Sequence, residues 1–180
     1  MITDQIIDRC QKGDRGAQQL IYQELSATMF GVTLRYAPNR SMAEDWLHDG
    51  FIHLFDSIGS YRGQGSFVGW ARRVFVTTAL GHLRIKSTRM SIEHGANGDL
   101  SLVESSMATA IETMESEDIL NAIARLPTLQ RTVLNMFSIE GFSHEEIATI
   151  LHISPQNSRT ILHRAKVELS HALSRTDIIE

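Results

Sequence analysis

Apolar residues recur along this chain at the spacing of α-helices, in long runs broken by only three prolines. Over residues 4–24, Ile6, Ile7, Cys10, Ala17, Leu20 and Ile21 mark one face, interrupted near Gly13-Asp14. A second run, Leu25 to Tyr36, stops before Pro38, whose ring disfavours helical backbone at Ala37. A third helix is expected from Met42 to Phe55, with Ser41 as its cap and Glu44 completing a reciprocal capping box. Its Ala43, Trp46, Leu47, Phe51, Leu54 and Phe55 face a core. Glu44, Asp45, His48, Asp49 and Ile52 stay on or near the outside.

A fourth helix follows a tight turn, Gly63-Gln64-Gly65, with Ser66 as its cap. Phe67, Trp70, Ala71, Val74, Phe75 and Thr78 form one stripe on it, which places Trp70 in the core rather than against a base. From Met90 to Glu115 the periodicity is lost. Gly95, Gly98 and serines mix with acids there, as in a flexible linker with one weak helical turn near Met107 to Met114. The helical pattern returns at Glu117. Ile119, Leu120, Ile123 and Leu126 close a helix before Pro127, and Leu129, Val133, Leu134, Met136 and Phe137 make another that Gly141 stops.

The stretch after Gly141 is one of two informative stretches, the other being the basic run from Tyr61 to Met90. Ser143 and Glu146 form a capping box for a short helix that turns Ile147, Ala148 and Leu151 inward. His152-Ile153 is a turn, Ser154 the next cap, and Pro155 occupies the first helical position, where its missing N–H is harmless. The last helix buries Ile161 or Leu162, Ala165 and Leu169, and presents Gln156, Arg159, Thr160 and His163 on the other side. Two short helices about a tight turn, the second opening with Gln156, Asn157 and Arg159, make a helix-turn-helix. Such a helix fits the major groove, and those side chains hydrogen-bond base edges and phosphates. Helical hairpins that bind no DNA are also common, so the charge pattern upstream carries weight.

The formal net charge is −4, yet Tyr61 to Met90 holds Arg62, Arg72, Arg73, Arg84, Lys86 and Arg89 without one Asp or Glu. Arg73, Thr77 and Arg84 lie off the apolar stripe and are free to face a polyanion, as are the first amides and dipole of their helix. Alone, this run reads equally well as a solvated basic face. Other chemistry is absent. Gly63, Gly65 and Gly69 space as G-x-G-x-x-x-G with no preceding strand, and His144-Glu145-Glu146 lacks the second histidine of a zinc-protease helix. Cys10 has no partner. No nucleophile with base and oxyanion site appears, nor a phosphate loop, so no enzyme, cofactor or metal centre is expected. The chain has no apolar run of about 18 residues, and MITDQIIDRCQKGD lacks a signal peptide's apolar centre. A cytoplasmic protein without membrane insertion is expected.

Together these stretches resemble a bacterial extracytoplasmic-function (group IV) sigma factor of the sigma-70 family, across nearly the whole length. The resemblance rests on Ala43-Glu44-Asp45 with Phe51, Gly65-Ser66-Phe67 with Trp70, Leu126-Pro127 with Arg131, Glu146-Ile147-Ala148, and Leu162-His163-Arg164-Ala165. It implies an all-α fold of two small helical domains. A sigma region 2 bundle would span 1–89 and a sigma region 4 helix-turn-helix domain 116–180, joined by an acidic flexible linker at 90–115. It further implies a factor that binds core RNA polymerase and directs promoter-specific initiation. Core polymerase would dock on Asp45, His48, Asp49, Phe51 and Ile52. The −10 element would meet the Ser57 to Ser66 loop and the basic helix through Arg62, Gln64, Arg72, Arg73, Thr77, Arg84 and Lys86. The −35 element would meet Ser154, Gln156, Asn157, Arg159, Thr160, His163 and Arg164. An anti-sigma factor is a further implied partner.

Some positions depart from the family. His48 stands where a glutamine is frequent, Thr77 where an asparagine is usual and Gly81 where an aspartate is usual. Ser158 replaces a common valine, thinning the core, and Ile161 a common arginine, removing a phosphate contact. Two other readings fit parts of the chain: a stand-alone helix-turn-helix regulator, and a sigma-like adaptor that binds only protein. The first leaves the basic helix unexplained.

Overall fold

The computed structural model describes residues 2–94 and 122–176, with side chains for 2–83 and 122–174. The described residues are helical, with no strand, and the chain divides into two compact units, Met1–Gly95 and Ala96–Glu180. The expected turn near Met107 to Met114 and the linker from residue 95 on lie outside the described residues.

The first unit begins with α1 (Asp4–Gln11) and α2 (Arg15–Tyr36). Gly13 ends the first, with φ +82, and Asp14 caps the second by accepting the Ala17 amide at 3.0 Å. That amide, then the Arg9 guanidinium, hold the Asp14 carboxyl below its ordinary range. The cap is therefore fully made above the usual aspartate pKa and lost as pH falls through the lowered one. The two apolar runs expected here fuse into one helix, because nothing at Glu24-Leu25 interrupts it.

The third helix, α3 (Arg40–Ser57), starts earlier than Ser41 and Glu44 suggested. Asn39 is the cap, accepting the Met42 amide at 2.9 Å. The earlier start places Arg40 on Glu44 at 3.1 Å and over the Phe30 ring at 5.0 Å, two contacts that a cap at Ser41 would forgo. A 3-10 turn, Ile58–Ser60, and a loop lead to α4 (Phe67–His94), which runs beyond the expected end at Arg89.

α2, α3 and α4 pack on one another around Phe75, which is fully buried. Ile21, Leu25, Met29 and Val32 of α2 and Trp46, Phe51 and Leu54 of α3 complete that core. Gly50 is required by close approach: a Cβ there would overlap Cδ1 and Cε1 of Phe75.

The second unit contains helical residues 122–125, α5 (Thr128–Leu134), a π turn (Asn135–Ile139), α6 (His144–Leu151) and α7 (Pro155–Thr176). Val133, Met136, Phe142, Ile147, Ile161, Leu162 and Ala165 form its core. Arg131 donates to Ala124 O at 3.0 Å, satisfying a carbonyl at the end of the first turn, and its burial lowers the guanidinium pKa. Both Ile161 and Leu162 are inside. The position of Ile161 therefore faces the core.

Ser158 does not leave the core thin. It is fully buried and meets His144 Nδ1 at 2.9 Å, while the His144 ring stacks on Phe137 at 4.4 Å. A polar pair joins the two helices where a valine would have filled space.

The turn between them has a cost. His152 is the one non-glycine residue with positive φ among the described residues (φ 55, ψ 44). A side chain in this conformation loses about 1–2 kcal/mol that glycine would not. Glycine gives back part of that in chain entropy. His152→Gly is expected to stabilise the second unit by about 0.5–1 kcal/mol, seen as a higher urea midpoint with an unchanged slope.

Candidate nucleic-acid interface

In the first unit the basic surface grows from the loop into α4. Gly63 (φ 73) and Gly65 (φ 80) give the tight turn that left-handed backbone requires. Ser66 begins α4 as expected, though its side chain holds the Gly69 amide only at 3.4 Å. Tyr61 closes the loop by donating its hydroxyl to Gly65 O at 2.8 Å, and packs edge-on against Phe67 at 5.2 Å. Arg62 and Gln64 are exposed on this loop, Arg73 and Thr77 are exposed on α4, and Arg72 is half-buried. The side chains of Arg84 and Lys86 lie outside the described residues. Thr77 spends its hydroxyl proton on Arg73 O at 2.9 Å, so toward a ligand it can only accept.

Trp70 is not in the core. The helix is rotated so that Phe67, Ala71, Phe75 and Thr78 point inward, which leaves Trp70 and Val74 half-exposed. They form one wall of an open groove of about 740 Å³ between α3 and α4, with Arg73, Thr77, Thr78, Gly81 and His82. His53, Asp56 and Ser57 of α3 form the other wall. Thr78 donates its hydroxyl proton to Val74 O at 2.9 Å, so His53 Nδ1, 3.0 Å from Thr78 Oγ1, is the donor to that hydroxyl oxygen. His53 Nε2 is then left as an acceptor.

No sequence pattern joins residues 53–57 to residues 70–82. Only the packing of α3 on α4 brings them together, and no local motif encodes a helix crossing. The groove's mix of an indole face, an aliphatic wall and a guanidinium suits a planar, unstacked base with a phosphate beside it.

On the solvent-facing side of α3, beside the groove wall, Asp45 and His48 are exposed, Asp49 is half-exposed, and Ile52 is 57% exposed. His48 Nδ1 donates to Glu44 O at 2.8 Å, and Asp49 pairs with His82 Nε2 at 3.1 Å. Phe51 corrects the expectation that it meets a partner. It is 3% exposed, enclosed by Tyr22, Phe55 and Phe75, and so supports this face from beneath.

The second unit builds the helix-turn-helix. The capping box of α6 is complete: Glu146 N donates to Ser143 Oγ at 3.2 Å and Ser143 N to Glu146 Oε2 at 2.8 Å. Ile153 N donates to Ala148 O at 3.1 Å across the turn, and Ser154 caps α7 by accepting the Asn157 amide at 3.0 Å. Gln156, Asn157, Arg159, His163 and Arg164 are exposed and Thr160 is half-exposed. Ser154 is exposed with its oxygen engaged as a cap, and Thr160 donates its proton to Gln156 O at 3.0 Å. Neither hydroxyl is therefore a first-choice donor to DNA. Arg159 meets Glu145 of α6 at 3.0 Å. Exposed pairs of this kind are worth at most about 1 kcal/mol, less than a good base contact at about 1–3 kcal/mol, so DNA can draw the guanidinium away.

Among the described residues no cluster of His, Cys, Asp or Glu is arranged to hold a metal, and no helix is long and apolar enough to cross a membrane.

Comparison with known proteins matches both units. The family model for Sigma-70 region 2 matches residues 21–89, and that for Sigma-70, region 4 matches residues 116–169. The RNA polymerase sigma-H factor of Pseudomonas aeruginosa is 27% identical over 178 residues, covering 94% of this chain and 92% of that protein. The ECF RNA polymerase sigma-E factor of Haemophilus influenzae is 28% identical over 175 residues, covering 92% of each. Among solved structures, the sigma factor RpoE of Bartonella quintana in complex with the anti-sigma factor NepR superposes with a TM-score of 0.58 at 15% identity. That match covers 87% of this chain and 96% of the other. The structure of CnrH with the cytosolic domain of CnrY gives 0.54 at 15% identity, covering 94% and 96%.

Proposed function

The chain belongs to the sigma-70 family, among its extracytoplasmic-function members, and from that membership we propose that it binds core RNA polymerase and directs promoter-specific initiation. The observation that carries the reading is the presence of two separately folded units, each presenting side chains suited to DNA. Region 4 reads the −35 element through Gln156, Asn157, Arg159, His163 and Arg164 at the exposed start of α7. Region 2 takes the −10 element on the loop residues Arg62 and Gln64 and on Arg72, Arg73 and Thr77 of α4, with Arg84 and Lys86 extending the basic run. The α3–α4 groove beside Trp70 receives a base of the opened strand. Residues 1–89, 90–115 and 116–180 divide the work as −10 domain, linker and −35 domain.

The acidic outer strip of α3, with Asp45, His48, Asp49 and Ile52, docks on the polymerase. An aliphatic contact ringed by carboxylates suits a basic groove on a protein partner. The polymerase supplies the chemistry, and this chain, acting in the cytoplasm, is not an enzyme. An anti-sigma factor is its regulatory partner, as the solved sigma factor RpoE is bound to the anti-sigma factor NepR.

Run-off transcription on genomic fragments, with purified chain and core polymerase, tests the reading. Discrete transcripts absent with core alone are expected, and core binding without any such transcript would refute it. A finer expectation concerns Arg73. If it meets phosphate, Arg73→Ala weakens promoter binding evenly across sequences and reduces the slope of log affinity against log salt by about one. Titrating holoenzyme on one promoter at several salt concentrations measures this.

A further inference from the structure

Gln11 is the last residue of α1, ahead of the residues matched to Sigma-70 region 2. Its side-chain amide reaches far along the sequence, donating one hydrogen to Ile58 O at 3.0 Å and the other to Tyr61 O at 3.2 Å. Those carbonyls flank the 3-10 turn, and Tyr61 N itself donates to Ile58 O at 3.1 Å. One amide thus ties together both ends of the turn and fixes the direction in which the chain leaves it.

That direction matters for what comes next. Tyr61 anchors the loop by its hydroxyl on Gly65 and its ring against Phe67 and Trp70. Between these anchors Gly63 and Gly65 have open space on the side a Cβ would take. The loop that carries Arg62 and Gln64 is therefore placed from its base, through Tyr61, rather than by packing along its length.

We propose that Gln11 is a positioning residue for −10 recognition, holding the loop from a helix that precedes the matched region. The proposal rests on the reading of region 2 as the −10 reader. A base-reading group must be held to within about half an ångström, and a loop released at its base loses that register.

The test uses holoenzyme assembled from core polymerase and the full chain, on the promoter recovered by genomic run-off. Templates carry single substitutions in either the −10 or the −35 element. Gln11→Met keeps length and removes both donors, whereas Gln11→Arg keeps a fork of donors. With Gln11→Met, discrimination among −10 templates is expected to shrink about fivefold, the order set by two lost hydrogen bonds at an exposed site. Discrimination among −35 templates and core binding stay at wild-type values, and Gln11→Arg retains −10 discrimination. Full −10 discrimination by the Met variant overturns the proposal. So does an equal loss of yield on every template, or an Arg variant that behaves like Met. A wild-type chain that ignores −10 substitutions would instead overturn the underlying reading, and the proposal with it.

Discussion

Holoenzyme carrying Gln156→Ala and Arg159→Ala is expected to lose about a hundredfold of its promoter-directed transcription while binding core polymerase as tightly as before. Both side chains stand exposed at the start of α7, one turn apart on the face away from Ile161, Leu162 and Ala165. A good bidentate contact to a base edge is worth about 1–3 kcal/mol, so removing two costs a factor of about thirty to about twenty thousand. Arg159 also exchanges a weak partner, Glu145, for a stronger one, which takes a little from its net contribution. Arg72→Ala with Arg73→Ala is expected to act as severely from the other unit, where strand opening needs cations along the displaced backbone. Run-off yield set beside a core-binding titration separates the two effects. Unchanged transcription in both double variants would favour an adaptor that binds only protein.

Gly50→Ala is expected to destabilise the first unit by about 2–3 kcal/mol, against the usual preference of helices for alanine over glycine, which is about 1 kcal/mol. The new methyl would overlap Cδ1 and Cε1 of Phe75 and stand 3.0 Å from Cζ. That ring is fully buried and set edge-on to Phe51 at 5.1 Å, so it has little room to turn. Relief would require α3 and α4 to separate. Such a shift would widen the groove beside Trp70, and would move the paired Asp49 and His82 apart. A urea titration should show a lower midpoint for this variant, and the same substitution at Gly81, where a Cβ meets only open space, should not.

What the sequence made legible follows from the range of the interactions involved. The helix-turn-helix could be read closely because its determinants are local: Ser143 with Glu146, Ser154 with the Asn157 amide, Pro155 at a first position. The start of α3 differs from the expected Ser41 cap because Asn39 and Ser41 are both competent caps, and Arg40's contacts to Glu44 and Phe30 favour the earlier one. Trp70 belongs to the expected stripe, but α4 also buries Val76, Ala79, Leu80 and Leu83, so its buried face is turned away from the Trp70 edge of that stripe. Which edge of it stays exposed depends on how α4 is rotated against α3. Phe51 shows the reverse, a family position on a binding face whose own ring is enclosed. The hydrogen bond of His144 to Ser158, and the reach of Gln11 to Ile58 and Tyr61, have no sequence signal at all. They join residues that only tertiary packing makes neighbours.

The claim that everything else serves is that two units of one chain hold one promoter at two places. Hydroxyl-radical footprinting of the holoenzyme on its promoter addresses this directly. Two protected patches are expected, at −35 and at −10, with the first lost in the Gln156→Ala/Arg159→Ala variant and the second in the Arg72→Ala/Arg73→Ala variant. A single patch, or two patches that both double variants leave intact, would contradict it.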